Sequence, residues 1–241
     1  MRALVTGGAS GIGAATVSLL RAAGHDVTVW DQNPSADVVV DVSSADEVSA
    51  AMARTRAEGG PPQLVVAAAG IGHAGQLTEV SVADWQRVIG VNLTGVWLTL
   101  RAAAKALMAA ELPGSMVAVT SISGSLADRD MGAYCASKAG ADMLVKVAAA
   151  EWGTYGIRVN AVGPGVTRTP MLAAAALLPG WVEGLSERTA LGRLGEPDDV
   201  AAAVVGVLGM EWVTGQVLHA DGGLSLHSPI DAFGQVQRLR R

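Results

Sequence analysis

Two side chains four residues apart, Tyr134 and Lys138, stand in the run Tyr134-Cys135-Ala136-Ser137-Lys138, and a hydroxyl, Ser121, lies thirteen residues upstream. Four residues is about one helical turn, so on a helix the phenol and the ammonium share a face. A fixed positive charge beside a phenol favours its ionised form and is expected to lower a pKa that is ordinarily about 10. A phenol held that way exchanges a proton with an alcohol near neutral pH. The Tyr-x-x-x-Lys spacing is common on ordinary helix surface, so its meaning depends on the elements around it.

Those elements follow from periodicity. Short apolar runs at 3–5, 26–30, 38–40, 64–67, 115–119, 157–161 and 216–219 read as strands. Longer helical patterns cover 12–23, 45–57, 82–90 running into 93–110, 133–155 and 197–209. Apolar strands alternating with helices predict an α/β fold, a doubly wound parallel sheet of about seven strands with helices on both faces. No Pro/Ser-rich linker, repeat or low-complexity tract divides the 241 residues, so a single domain over 1–241 is expected. The apolar stretch 171–196, with Pro179, Gly180 and Trp181, breaks the alternation and reads as a substrate-loop excursion.

Composition narrows the partners. Net charge is −5 and no basic stripe runs along the chain, which argues against nucleic acid or an anionic membrane. The only basic cluster, Arg238-Leu239-Arg240-Arg241, reads as a solvated terminus. One cysteine, Cys135, forms neither an internal disulfide nor a zinc site and reads as a small packed residue. His25, His73, His219 and His227 do not cluster, and no metal is expected; His73 falls nearest the anticipated pocket. Met1-Arg2 leads straight into an apolar run and a glycine turn, and the longest apolar stretches are too short to span a bilayer. A soluble cytoplasmic protein is expected.

The first strand runs into Thr6-Gly7-Gly8-Ala9-Ser10-Gly11-Ile12-Gly13 and then a helix. Glycines there permit a tight turn and let a pyrophosphate reach the backbone, where a helix N-terminus offers free N–H groups. Asp31 ends the second strand, eighteen residues after Gly13. A carboxylate there accepts both ribose hydroxyls of an adenosine and repels a 2′-phosphate. No Arg or Lys stands at Ala9, Ser10 or Gln32, so NAD is favoured over NADP. Asp41-Val42 ends the third strand; it either contacts the adenine edge or, through Asp41, caps the next helix.

Taken in order, Thr6 to Gly13, Asp31, Asp41, Asn92, Ser121, Tyr134, Lys138 and Pro164-Gly165 resemble the short-chain dehydrogenase/reductase family along nearly the whole chain. The resemblance implies a single Rossmann domain with its substrate site at the C-terminal ends of the strands. It implies that Tyr134 is the acid/base and that Lys138 is its partner and a ligand of the nicotinamide ribose. Ser121 would hold the substrate oxygen, the thirteen-residue spacing choosing it over Ser123. Asn92, in Val91-Asn92-Leu93-Thr94-Gly95, resembles the family's helix-bending asparagine, which holds a water in a proton relay. The run from Pro164 through Gly165, Thr167 and Thr169 resembles the loop that receives the carboxamide, with Thr167 contributing backbone and Thr169 its hydroxyl. Ala220-Asp221-Gly222-Gly223 resembles the family's terminal strand ending.

Two departures stand out. Where the family often has Asn-Asn-Ala-Gly after the fourth strand, this chain has Ala67-Ala68-Ala69-Gly70. Gly70 still lets the backbone pass close to the cofactor. The stretch between Asp31 and Asp41 is also short for the usual helix.

The reading is an oxidoreductase that moves a hydride between NAD(H) and a secondary alcohol or ketone. Its alternatives are an NADPH-dependent 3-oxoacyl thioester reductase and a non-catalytic NAD-binding sensor or subunit. Met171, Leu172, Leu177, Leu178 and Trp181 either cover an apolar pocket or form the core face of a helix. Arg129, in the polar insertion Asp128-Arg129-Asp130, would favour an acidic substrate if it faced the pocket. The Ala-rich helices at 93–110 and 133–155, with the resemblance, suggest a homotetramer or homodimer.

Overall fold

The computed structural model describes residues 1–173 and 175–226. His227 and the basic cluster at Arg238, Arg240 and Arg241 lie outside the described residues. Seven strands are formed: β1 Arg2–Thr6, β2 Asp26–Asp31, β3 Val38–Val39, β4 Leu64–Ala67, β5 Gly114–Val119, β6 Ile157–Pro164 and β7 Val217–Ala220. They make one parallel sheet in the order β3-β2-β1-β4-β5-β6-β7. The chain builds outward from β1 to β3, then returns to place β4 on the other side of β1. That reversal opens a crevice at the C-terminal ends of β1 and β4, where ligands of such sheets bind.

Side-chain alternation sorts the strands between two apolar layers. Leu4, Val65, Met116 and Val159 face one layer with Val48 and Met52 of α2 (Ala45–Gly59), Leu100 and Leu107 of α4 (Gly95–Ala109) and Val145 of α5 (Gly132–Trp152). Val5, Val66, Val117 and Val162 face the other, with Val17 and Leu20 of α1 (Gly11–Ala22) and Val200 and Val204 of α7 (Pro197–Gly209). Both faces of the central strands are therefore dry, which explains why those strands read as continuous apolar runs. None of the described helices is long and apolar enough to cross a membrane.

Three details differ from the sequence reading. Helix α3 (Val82–Ile89) does not simply run into α4; a π turn, Gly90–Thr94, joins them and carries Asn92. The third strand is only two residues long, so Asp41 lies beyond its end. Asp41 does not cap α2 either. Ser44 is the N-cap and accepts from the Glu47 N–H, while Asp41 accepts from the amide (2.8 Å) and hydroxyl (2.7 Å) of Ser43. The stretch 171–196 contains two 3-10 turns and a helix, α6 (Trp181–Arg188), set outside the alternating layers.

The short β2–β3 crossover is held by side chains in place of a helix. Asp31 Oδ1 accepts from the Asn33 N–H at 3.0 Å, and Asn33 Oδ1 accepts from the amide and hydroxyl of Ser35 at 3.0 and 2.9 Å. Such Asx turns let six residues reverse without regular structure.

Candidate active site

The glycine turn after β1 is built on close approach. Gly7 and Gly11 have φ of 66° and 52°, the left-handed region that favours glycine. A Cβ on Gly7 would lie 2.7 Å from Ala69 Cα, and one on Gly13 would lie 2.1 Å from the Gly7 carbonyl oxygen. Ser10 precedes α1 in extended conformation, makes no side-chain cap, and no acidic residue occupies the first turn. The first amides of the helix, from Gly11 through Ile12 and Gly13, are thus left for an anion. Beside them, Asp31 Oδ2 accepts from the Ala9 N–H at 3.0 Å. A phosphate-accepting helix start next to a carboxylate fits a dinucleotide, with the pyrophosphate on the turn and a ribose at Asp31.

The exit of β4 passes this turn without the family's asparagines. Thr6 does their joining work: its hydroxyl accepts from the Ala69 N–H (3.3 Å) and its carbonyl from the Ala68 N–H (3.2 Å). Gly70 then passes between two polar groups; a Cβ there would stand 3.4 Å from Asn92 Oδ1 and 3.5 Å from Lys138 Nζ. Asn92 is fully buried. Its Oδ1 accepts from the Ile71 N–H at 2.9 Å, and its Nδ2 donates to the Ile71 carbonyl (2.9 Å) and the Ser137 hydroxyl (3.2 Å). One side chain therefore ties the β4 exit to α5, and both of its amide protons are committed. A relay water here would depend on the main chain of the π turn.

Helix α5 carries the reactive pair. Lys138 is 4% exposed, and its Nζ donates to the Val119 carbonyl at 3.0 Å, just beyond which Ser121 leaves β5. The ammonium sits 5.5 Å from the centroid of the Tyr134 ring. Ser121 and Ser123 are both buried, yet they differ in commitment. The Ser123 hydroxyl donates to Asp128 at 2.5 Å, whereas the Ser121 hydroxyl accepts from the Ser123 N–H at 3.1 Å and turns toward the Tyr134 phenol.

The electrostatics correct one expectation. Burial raises the Tyr134 pKa above its ordinary 10.0, the neighbouring Ser121 hydroxyl lowers it in part, and Cys135 and Asp128 raise it further. The Lys138 charge was expected to pull it down. Instead desolvation is the largest influence on the phenol, and the ammonium, placed over the ring, does not offset it. Lys138 responds to the same burial: its pKa falls to about 8, with Asp142 pulling the other way. The free protein thus holds a neutral phenol, a proton donor.

Loops close the crevice. Pro164 ends β6, and Gly165 packs so closely on the 220–223 turn that a Cβ would meet Asp221 Cα at 2.7 Å. The Thr167 hydroxyl is used internally, donating to the Gly165 carbonyl at 3.0 Å. Thr169 crosses to the glycine turn, its Cγ2 3.4 Å from a Cβ placed on Gly11. Met171 lies over Gly72, next to His73, while Met171, Leu177 and Leu178 remain exposed. They are not a helix core face. Val42 is buried against Gly95 of α4, and Arg129 is exposed. Among the described residues no cluster of His, Cys, Asp or Glu is placed to hold a metal.

Near the pair lie Asp142, unnoticed in the sequence, and His219, read there only as a histidine outside any cluster. Asp142 lies one turn beyond Lys138 and is 8% exposed, and His219 reaches from β7 toward the Ser121 backbone beside Gly163. An acidic residue at i+8 from Tyr134 on an Ala-rich helix was the available signal.

A family model described as enoyl-(acyl carrier protein) reductase matches residues 7–225. The cis-4-hydroxycyclohexanecarboxylate dehydrogenase of Sinomonas cyclohexanicum is 39% identical over 92% of this chain and 95% of its own length. The chain belongs to the short-chain dehydrogenase/reductase family. It is an oxidoreductase acting on CH–OH groups and their ketones. The 2,5-dichloro-2,5-cyclohexadiene-1,4-diol dehydrogenase of Sphingobium indicum, another relative, is 36% identical over 92% of this chain and 96% of its own length. The crystal structure of a gluconate 5-dehydrogenase from Burkholderia cenocepacia in complex with NADP and tartrate superposes with a TM-score of 0.90, at 29% identity, over 94% of this chain and 96% of that one.

The lowered Lys138 pKa has a measurable consequence for this dehydrogenase. Between pH of about 8 and 10 the unfolded chain binds the lysine proton and the folded one does not, so stability rises with pH across that window. Denaturant midpoints measured from pH 7.5 to 10 (roughly the span set by the two pKa values) should climb, and Lys138→Met should flatten that climb.

Proposed function

We propose that this chain is an NAD-dependent dehydrogenase of secondary alcohols, working as one dinucleotide-binding domain over 1–241 with its substrate loop at about 171–196. The observation that carries the reading is the convergence of Ser121, Tyr134 and Lys138 at the end of β5, beside the glycine turn. When bound, the nicotinamide supplies or accepts the hydride. In reduction, the neutral Tyr134 phenol donates its proton to the carbonyl oxygen that the Ser121 hydroxyl holds. In oxidation, Tyr134 as phenolate takes the hydroxyl proton, and the Lys138 charge favours that phenolate. Ser121 steadies the oxygen as its charge changes. Asn92 acts by position, fixing the β4 exit against α5.

The groups that would hold NAD are the amides of Gly7, Ser10, Gly11, Ile12 and Gly13 for pyrophosphate and the Asp31 carboxylate for ribose hydroxyls. The stretch at Asp41 and Val42 forms the adenine side. Gly70 and Lys138 face the second ribose. Pro164, Gly165, Thr167 and Thr169 flank the nicotinamide end. Asp31 argues against NADP: two like charges about 4 Å apart cost roughly 4 kcal/mol in a partly solvated site. Two relatives are named for hydroxyls on six-membered rings, and exposed Met171, Leu177 and Leu178 offer such a ring an apolar cover. A cyclic secondary alcohol is therefore the proposed substrate class, met in the cytoplasm, where dinucleotide is plentiful. Trp97 of α4 and Met143 and Val147 of α5 are exposed apolar side chains on neighbouring helices, which supports assembly as a homotetramer or homodimer.

Initial rates with ring alcohols should be much higher with NAD than with NADP, and Asp31→Ala should narrow the gap. A preference for NADPH and 3-oxoacyl thioesters would replace this reading with the thioester reductase. Tyr134→Phe should cut turnover by about 10²–10⁴-fold with NAD affinity retained; surviving activity would refute the acid/base role. Sedimentation should show an assembly larger than one chain, shifted toward monomer by Trp97→Glu with Val147→Glu.

A further inference from the structure

Behind the catalytic pair lies a carboxylate that the mechanism does not use. Asp142 follows Lys138 by four residues on α5, so the two side chains share the face turned toward the end of β5. Asp142 is 8% exposed, and its Oδ1 is buried without a hydrogen-bond partner. The other oxygen crowds the turn after Ser121: a Cβ on Gly124 would stand 2.6 Å from Asp142 Oδ2. A buried carboxylate with an unanswered oxygen costs stability, so its presence needs a compensating role.

The groups around it define that role. Just past β5 it meets the Thr120 hydroxyl, from β7 His219, and from its own helix Lys138 and Lys146. Thr120 carries no charge, and Lys146 is exposed at the helix surface. His219 is only partly buried. Among the described residues that face Asp142, Lys138 is therefore the fully enclosed amine, 4% exposed. The dependence runs both ways, since among the described residues Asp142 is the one neighbouring charge that favours the ammonium form of Lys138.

We propose that Asp142 is a positioning residue of the active site, whose buried carboxylate holds Lys138 in the charged form that proton exchange at Tyr134 requires. This rests on the dehydrogenase reading for its purpose but not for its physics. Burial alone drives Lys138 toward neutrality, and one hydrogen bond to the Val119 carbonyl does not prevent that. A negative charge placed one turn away, shielded from water, supplies the opposing field.

The chain contains only three lysines, Lys105, Lys138 and Lys146, so ¹³C-labelled lysine gives three resonances that can be titrated separately. In the full-length protein the Lys138 resonance should titrate lower by roughly one pH unit in Asp142→Asn. It should return toward the wild-type value in Asp142→Glu. The alkaline limb of the kcat/KM profile should move down with it, which a loss of packing alone would not produce. An unchanged Lys138 titration in folded Asp142→Asn would overturn the proposal. Should that variant not fold, the wild-type Lys138 resonance must itself show a second, acidic inflection as Asp142 is protonated; a flat acid limb would overturn it equally. The resonance is read without turnover, so absence of any alcohol activity would sink the dehydrogenase reading and leave the coupling result standing.

Discussion

The site depends on one close approach: the turn after β1 and the exit of β4 meet at backbone distance. Gly7 leaves no room for a side chain against Ala69, and Gly13 leaves none against the Gly7 carbonyl. This contact sets α1 with its N-terminus in the crevice and brings Gly70 within reach of Asn92 and Lys138. Asn92 then passes the constraint to α5 through Ser137, and α5 places Tyr134 and Lys138. The cofactor end and the chemical end are consequently parts of one packed unit.

Desolvation governs the chemistry of that unit more than pairwise charge does. From spacing alone, an ammonium one turn from a phenol is expected to make the phenol acidic. In the folded chain both groups leave water together, and each is pushed toward its neutral form. The result is a resting acid, suited to protonating a carbonyl oxygen. Forming the phenolate draws on positive charge nearby.

Most of the architecture was readable because its signals are local. Continuous apolar runs marked the strands, and the glycine turn, Asp31, Ser121 and the Tyr134/Lys138 spacing lay in linear order. What escaped depended on three-dimensional packing. The π turn at Gly90–Thr94 has no pattern of its own and exists because Asn92 reaches across to Ile71. Asp41 looked like a cap because it precedes a helix, but Ser44, immediately before Ala45, takes the bond. Asp142 and His219 are separated by most of the C-terminal half of the sequence, so only the fold reveals that they face one another. The apolar residues of 171–178 could not be assigned to core or surface from hydropathy, because exposure is decided by what else covers them.

The bond between Asp31 and the Ala9 amide bears on how a dinucleotide would be greeted. The carboxylate is already anchored to the edge of the glycine turn and to its own Asx turn before any ligand arrives. Its remaining lone pairs therefore point from a fixed frame, and little rotamer freedom is left to lose on binding. A side chain frozen in advance spends its strength on the ligand and not on its own ordering. On the proposed reading, the short crossover, which looks like a deletion in the sequence, is a preorganised half of the ribose site.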